Sequence, residues 1–194
     1  MKLGKMMVAV VGATVLLASV VGMASARNLS TSSQGLRASF ARLDFVGGFG
    51  TAECEVVVEG SFHSRTIVKS VGTLSGFITA ANITRCIRGG ATVLRETLPW
   101  HIRYAGFAGT LPNITSITAT ISGIAFRIRE PAFGVTCLAT TSGASIVFHR
   151  EASGATTSVT AGATNSCSGV NGTLNGNTTA VDNGSGARIT VTLI

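Results

Sequence analysis

The sequence predicts an all-β protein: an antiparallel β-sandwich or barrel-like domain that follows an N-terminal signal peptide. Three observations lead to this class. Apolar and polar residues alternate with a period of two in many short runs after residue 26, which is the pattern of half-buried strands. Gly, Pro, Asn and Asp separate these runs and favour turns there. No segment after residue 26 has the apolar spacing of an amphipathic helix.

The first 26 residues are typical of a secretory signal. Lys2 and Lys5 give a positive start, residues 6–21 are apolar apart from Gly, Ser and Thr, and the sequence ASA at 24–26 suits a signal peptidase. We expect cleavage after residue 26 and export to the cell envelope or the medium. The alternative is an uncleaved membrane anchor, for which the apolar run is somewhat short of the ~20 residues that span a bilayer. No later segment is apolar for long enough to span one.

Residues 27–194 are enough for a single domain with its own core. They carry thirteen basic residues against eight acidic ones, and twelve of the basic residues are Arg. Because these arginines are scattered along the chain, the pattern does not favour a nucleic-acid partner. The excess of positive charge indicates solubility and a weak attraction to anionic surfaces. The sequence does not identify the partner; an anionic cell-envelope polymer and another envelope protein are the two candidates.

The clearest predicted strand covers residues 53–62, where Glu53, Glu55 and Glu59 alternate with apolar side chains. This alternation predicts a half-buried strand whose glutamates lie on a solvated edge. Between residues 152 and 187, Ser, Thr, Gly and Asn dominate, which predicts a loop-rich border of the sheet. The other predicted strands cover residues 38–46, 65–71, 76–83, 91–98, 99–107, 117–128, 143–151 and 187–194.

Four cysteines, Cys54, Cys86, Cys137 and Cys167, lie after the signal segment. An even number of cysteines in an exported chain predicts disulfides. We expect Cys54–Cys86 and Cys137–Cys167, because each pairing closes a local loop, although two other pairings are possible. The cysteine spacing does not match a zinc site.

The segment PWHIRYAGF at 99–107 contains the only Trp and the only Tyr of the chain. Alternation places Trp100 and Tyr104 on one face of a strand, and His101 and Arg103 on the other. The first interpretation is that Trp100 and Tyr104 pack in the core while His101 and Arg103 face water. The second is that these four residues form a ligand surface.

Arg127 and Arg129 project from one face of another predicted strand. Together with Arg103 they are candidates for a basic strip that binds an anionic polymer or an acidic lipid. An ordinary solvated strand face is the alternative.

The search for catalytic motifs finds no G-x-S-x-G segment and no phosphate-binding glycine loop. His63, His101 and His149 are the raw material for a three-histidine metal site, but two of them follow a Phe that the alternation turns inward. The sequence therefore indicates no catalytic residue, no cofactor and no metal site.

Three segments, LDFVGGFGTAEC, EGSFHSRTIVKSVGTLSGFIT and ETLPWHIRYAGFAGTLPNITSITATISGIAFRI, resemble a group of exported bacterial proteins of GC-rich soil lineages. The resemblance covers about residues 38–140. It implies an exported bacterial domain, and it carries over no site residue because no function is assigned to that group.

We therefore expect an exported, non-enzymatic envelope or extracellular β-domain with a binding or structural role. The alternative is a secreted hydrolase with a dispersed active site, in which a Ser or a carboxylate pair meets a His in a concave pocket.

Overall fold

The computed structural model describes residues 28–48, 50–110, 113–151, 154–165 and 171–193. The predicted signal segment, 1–26, lies outside these residues. The described part of the chain is almost entirely strand, apart from one 3₁₀ turn at Arg95–Thr97, so the predicted all-β class is confirmed. The strands are β1 (Leu29–Thr31), β2 (Gly35–Gly47), β3 (Gly50–Phe62), β4 (Thr66–Ile67), β5 (Leu74–Arg88), β6 (Gly90–Val93), β7 (Trp100–Thr110), β8 (Asn113–Ser122), β9 (Ala125–Arg129), β10 (Thr136–Thr140), β11 (Ala144–Glu151), β12 (Gly154–Asn165), β13 (Asn171–Asp182) and β14 (Val191–Leu193).

Eight long strands form an antiparallel meander that closes on itself. The order is β2, β3, β5, β7, β8, β11, β12 and β13, and each strand pairs with the next one in this series. β13 then pairs with β2, so that the first and last strands of the series complete the ring. A barrel of eight strands has an interior just wide enough to be filled by side chains.

Two smaller groups of strands cover the barrel ends. β9 pairs with β6 on one side and with β10 on the other, and β10 joins β12; we call β6, β9 and β10 the distal sheet. Phe126 of β9 packs against Phe45 and Trp100, with ring centroids 4.9 Å and 5.6 Å apart. These contacts bury the inner face of the distal sheet against the barrel core.

The other end of the barrel is covered by a small sheet, in which β1 lies between β4 and β14. Leu29 and Ile67 of this sheet are buried in the same apolar cluster as the barrel interior. The cavities described at the two ends have volumes of only about 20 Å³ each, which is room for about one water. The described residues that point into the barrel therefore form a packed apolar core.

Gly123 divides the run that the alternation predicted as one strand at 117–128. Its φ is 91°, a conformation that glycine adopts without strain. The chain bends there, so that β8 stays in the barrel wall while β9 enters the distal sheet. The single-strand prediction was wrong because a period of two continues across a bend and does not reveal it.

Within the stretch 152–187, the described residues 154–165 and 171–182 form barrel wall and not the loop-rich border that their composition predicted. β12 and β13 lie between β11 and β2, and β13 turns Leu174, Thr178 and Val181 inward. Gly172 is needed for the close approach of β2, because a Cβ there would overlap the backbone carbonyl oxygen of Val46. The prediction failed because small residues at a tight strand contact have the same composition as a loop.

Other boundaries also differ from the predictions. Of residues 65–71 only Thr66–Ile67 is strand, and residues 91–98 divide into β6 and the 3₁₀ turn. The predicted strand at 53–62 is confirmed as β3, but it lies between β2 and β5 and not at an edge. β1 and β10 are too short for a period of two to predict them.

The predicted Cys54–Cys86 disulfide is present and joins directly opposite residues of β3 and β5. Cys54 is buried, and its Cα lies 4.0 Å from that of Cys86. Cys137 is buried on β10, but Cys167 lies outside the described residues, and so does the second predicted pair. Among the described residues, no helix has the length and apolar character required to cross a membrane.

Candidate functional site

The outer surface of β2, β3 and β5 carries a ladder of ion pairs. Arg85 of β5 donates to Glu55 of β3 at 2.6 Å. Arg37 of β2 lies 3.5 Å from Glu59 of β3. Because the side chains of directly opposite residues lie close together across strands, alternating charges on neighbouring strands become partners.

The ladder continues toward the distal end of the barrel. The guanidinium of Arg42 lies 2.7 Å from Asp44 and 3.5 Å from Glu53, and Arg88 lies 3.9 Å from Glu53. The hydrogen bond with Asp44 raises the pKa of Arg42, and the hydrogen bond from Arg85 lowers the pKa of the Glu55 carboxyl. We call this surface the paired face. Its residues are Arg37, Arg42, Asp44, Glu53, Glu55, Glu59, Arg85 and Arg88.

The outer surface of the distal sheet has a different composition. Arg127 lies between Thr92 of β6 and Leu138 of β10, and Arg129 lies between Gly90 and Thr136. Both arginines are exposed. Within the described parts of the chain, neither forms an ion pair with a carboxylate. We call this surface the arginine face. Its residues are Thr92, Arg127, Arg129, Thr136 and Leu138.

An apolar loop continues the arginine face. Phe133 and Val135, in the connection between β9 and β10, are 70% and 46% exposed, and Leu138 is 42% exposed. The guanidinium of Arg129 lies over this loop, 3.6 Å from the position that a Cβ at Gly134 would take. Apolar side chains therefore adjoin the positive charge, an arrangement that marks binding surfaces more often than ordinary solvated ones.

The acid nearest in sequence to the arginine face does not lie on it. Glu130 directly follows β9, but it is only 2% exposed and lines the small cavity beside Phe45 and Ile128. Its backbone N–H donates to the carbonyl of Val135, and its carbonyl accepts from the N–H of Gly134. The loop thereby turns the Glu130 side chain inward, which leaves the outer charge positive.

The structure separates the residues that the sequence grouped into one ligand surface. Trp100 and Tyr104 are 2% and 4% exposed, so they belong to the core and the ligand-surface interpretation is wrong for them. Trp100 donates from Nε1 to Thr97 Oγ1 at 2.9 Å. Burial raises the pKa of the Tyr104 hydroxyl.

His101 and Arg103 do point outward from β7, as the alternation predicted. Arg103 is exposed and donates from Nη1 to the carbonyl of Gly72 at 3.0 Å. Its strand partners are Leu74 and Thr120, whereas Arg127 and Arg129 pair with β6 and β10. Arg103 therefore lies on the barrel wall and is not aligned with the two arginines of the distal sheet.

The histidines lie in two places on the outer surface. His63 and His101 flank Phe77, with ring centroids 4.7 Å and 5.1 Å from it, whereas His149 is on β11. Among the described residues, no three potential metal ligands come together. The three cavities that we describe are not lined by any histidine.

Sequence reasoning missed the apolar part of the site. Phe133 and Val135 lie between the predicted strands at 117–128 and 143–151, where Pro and Gly residues favour a turn. The sequence feature that could have predicted this part of the site is a large apolar residue inside a turn, because a side chain at that position does not reach the core. Thr92 and Leu138 join the site only through strand pairing, which the sequence does not reveal.

No protein-family model, no curated protein and no solved structure matches this chain.

Proposed function

We propose that the protein is an exported, non-enzymatic β-domain that binds an anionic polymer of the cell envelope through its arginine face. The observation that carries the proposal is the contrast in pairing. The arginines of the paired face have carboxylate partners, whereas Arg127 and Arg129 have none in the part of the chain that the structure describes.

The chemistry of this face suits a chain of repeated anions. Arg127 and Arg129 are two residues apart on one strand, so their Cα atoms are about 7 Å apart. Each guanidinium offers a planar set of donors that matches a phosphate or a carboxylate. Two such groups in a row bind successive anions of a polymer and therefore gain from their connection.

Two further observations support the exported location. Residues 1–26 have the pattern of a secretory signal. The Cys54–Cys86 disulfide is of a kind that persists in oxidising compartments outside the cytoplasm. Polymers with phosphate or carboxylate repeats are abundant on that side of the membrane, and a positive protein is attracted to them.

The proposal is tested by comparing two double variants that remove the same charge. Binding of inorganic polyphosphate and of poly-glutamate is measured by isothermal titration calorimetry at several salt concentrations. Arg127→Gln with Arg129→Gln should weaken polymer binding about tenfold or more, because two unpaired charge-assisted contacts are lost. The control, Arg37→Gln with Arg85→Gln, should change it less than about twofold. Equal losses in the two variants would show attraction to net charge alone and would overturn the proposal.

A further inference from the structure

A gap opens in the sheet where β5 leaves β7. β5 pairs with β7 only from Leu74 to Ile78, although β5 continues to Arg88. Beyond Ile78 its only strand partner among the described residues is β3. The chain turns at Gly89, and β6 then pairs with β9 instead of returning to β5. β5 and β6 therefore separate after this turn, and their unpaired edges lie on opposite sides of a gap.

The space between these edges is a groove of about 240 Å³. We call it the edge groove; it is lined by residues 81–83 of β5 and 91–93 of β6, with Arg95 at one end. Its volume is below the roughly 300–1,000 Å³ of pockets that enclose a drug-sized ligand. The form of the groove, an opening between two strand edges, suits a chain segment that lies along an edge.

The backbone of β6 presents to this groove polar groups that have no strand partner among the described residues. The N–H of Leu94 donates to the carbonyl of Ala125, which places this pair at a hydrogen-bonded position of the ladder between β6 and β9. Because such pairs alternate along an antiparallel ladder, Thr92 and Gly90 also bond to β9, at Arg127 and Arg129. The N–H and C=O groups of Ala91 and Val93 must then point away from β9 and into the edge groove.

The end of the groove holds a positive charge on a fixed support. The Nη2 of Arg95 donates to the Oδ1 of Asn82 at 3.4 Å, and no ion pair involves Arg95 within the described residues. Arg95 opens the 3₁₀ turn, in which Thr97 Oγ1 donates to the carbonyl of Leu94 and accepts from the buried Trp100 ring. The core therefore holds in place the backbone from which Arg95 extends.

We propose that the edge groove binds an extended, acidic peptide segment of a partner protein by strand addition. The peptide backbone hydrogen-bonds to Ala91 and Val93, and a carboxylate of the peptide pairs with Arg95. Free strand edges of this kind are templates for another chain, and strand addition derives its affinity from main-chain hydrogen bonds. The charge of Arg95 favours an acidic sequence. Thr92 borders both this groove and the arginine face, but the proposed peptide contacts involve Ala91, Val93 and Arg95, so the inference does not depend on the polymer proposal.

The experiment uses residues 27–194 and a fluorescein-labelled, capped pentapeptide, Thr-Val-Glu-Val-Thr, followed by fluorescence anisotropy. Ala91→Pro removes the N–H that points into the groove and leaves the bonds of Thr92 and Gly90 to β9 intact. It should weaken binding about fivefold or more, whereas Ala91→Ser, which keeps the N–H, should not. Arg95→Gln should weaken binding about threefold to tenfold, and the Gln analogue of the peptide should show the same loss.

A second measurement keeps the proposal testable if Ala91→Pro does not fold. Backbone N-methylation of the peptide blocks strand addition without changing the protein, and it should abolish binding. Hydrogen exchange gives the internal control: the peptide should slow exchange at Ala91 and Val93, while Thr92, already bonded to β9, should change little. Binding that is unaffected by N-methylation, or absent at millimolar peptide, would overturn the proposal. So would dimerisation of the protein that Ala91→Pro abolishes, because the occupant would then be a second copy.

Discussion

Arginine side chains alternate outward on both the paired face and the arginine face, but only the paired face places carboxylates opposite them. Exposure does not account for the difference, because Arg85 and Arg88 keep side-chain exposures of 67% and 65% within their ion pairs. The neighbouring strands account for it. β3 brings three glutamates between β2 and β5, whereas β6 and β10 bring Gly, Thr and Leu to β9.

This comparison shows that the role of a surface arginine is set by its cross-strand neighbours. On the paired face the arginine charge is compensated within the protein, and exposed pairs of this kind contribute little to stability. On the arginine face no carboxylate of the described residues pairs with the arginines, and we propose that their charge binds a partner. The sequence spacing of Arg127 and Arg129 therefore has a functional meaning only after the strand order is known.

The largest expected effect is on stability, and it comes from truncating Trp100, which packs beneath the arginine face. Trp100→Ala deletes the ring that packs against Phe126 of β9, and we expect a loss of about 3–5 kcal/mol in the free energy of unfolding. Urea unfolding followed by circular dichroism measures this loss. His101→Ala, on the outer surface of the same strand, should cost far less. Equal costs for the two variants would contradict the placement of Trp100 beneath the distal sheet.

An intermediate effect is expected from giving the arginine face a carboxylate. Thr92 lies directly opposite Arg127 and is exposed, so Thr92→Glu creates there the type of pair that the paired face already has. Polyphosphate affinity should fall about tenfold, while the melting temperature stays nearly unchanged. Thr92→Gln is the matched control and should retain binding. If both variants bind as tightly as the parent protein, the contrast between the two faces does not determine ligand binding.

The smallest effect concerns the paired face and its dependence on pH. The hydrogen bond from Arg85 lowers the pKa of Glu55 below its ordinary value of 4.5. The ion pair between Glu55 and Arg85 therefore stabilises the folded protein fully above the pKa that Glu55 has in the unfolded chain. This stabilisation is lost as the pH falls through the lower pKa that Glu55 has in the folded protein. The melting-temperature difference between the parent protein and Glu55→Gln should be small at neutral pH and shrink toward zero in acid.

The matched variant for this measurement is Glu96→Gln, which removes the same charge outside the paired face. Its melting-temperature difference from the parent protein should not show the same decline in acid. A Glu55→Gln difference that is independent of pH would mean that the ion pair with Arg85 does not contribute to the stability of the folded protein.

The period of two in the sequence was enough to predict the class of the fold and the direction of many side chains. It placed Trp100 inward and Arg103 outward, because alternation across a strand depends only on local geometry. The Cys54–Cys86 pair also followed from proximity in the sequence. The partners of each strand were not predictable, because they depend on contacts between distant segments, and the arginine face and the edge groove both depend on those partners.

Two of the failed interpretations have physical causes that the residues make plain. β13 was assigned to a loop because Gly172 and its neighbours are small, yet a small residue there is what allows the backbone of β2 to approach so closely. We assigned three glutamates to a solvated edge because they are charged: Glu53, Glu55 and Glu59. Arginines on both neighbouring strands pair with them, however, so their strand is stable between two others in the sheet. Composition alone does not distinguish these cases.

The closure of the barrel between β2 and β13 has a consequence for the order of folding. Every other contact in the ring joins strands that follow one another in the series, and such hairpins form quickly from nearby residues. The last contact joins Arg37 to Asp182, across nearly the whole described chain. A growing chain that lacks its final segment therefore has two open strand edges and no closed core. The slow step of folding should be this closure, and until it is complete the unfinished barrel is prone to pair with a neighbouring molecule.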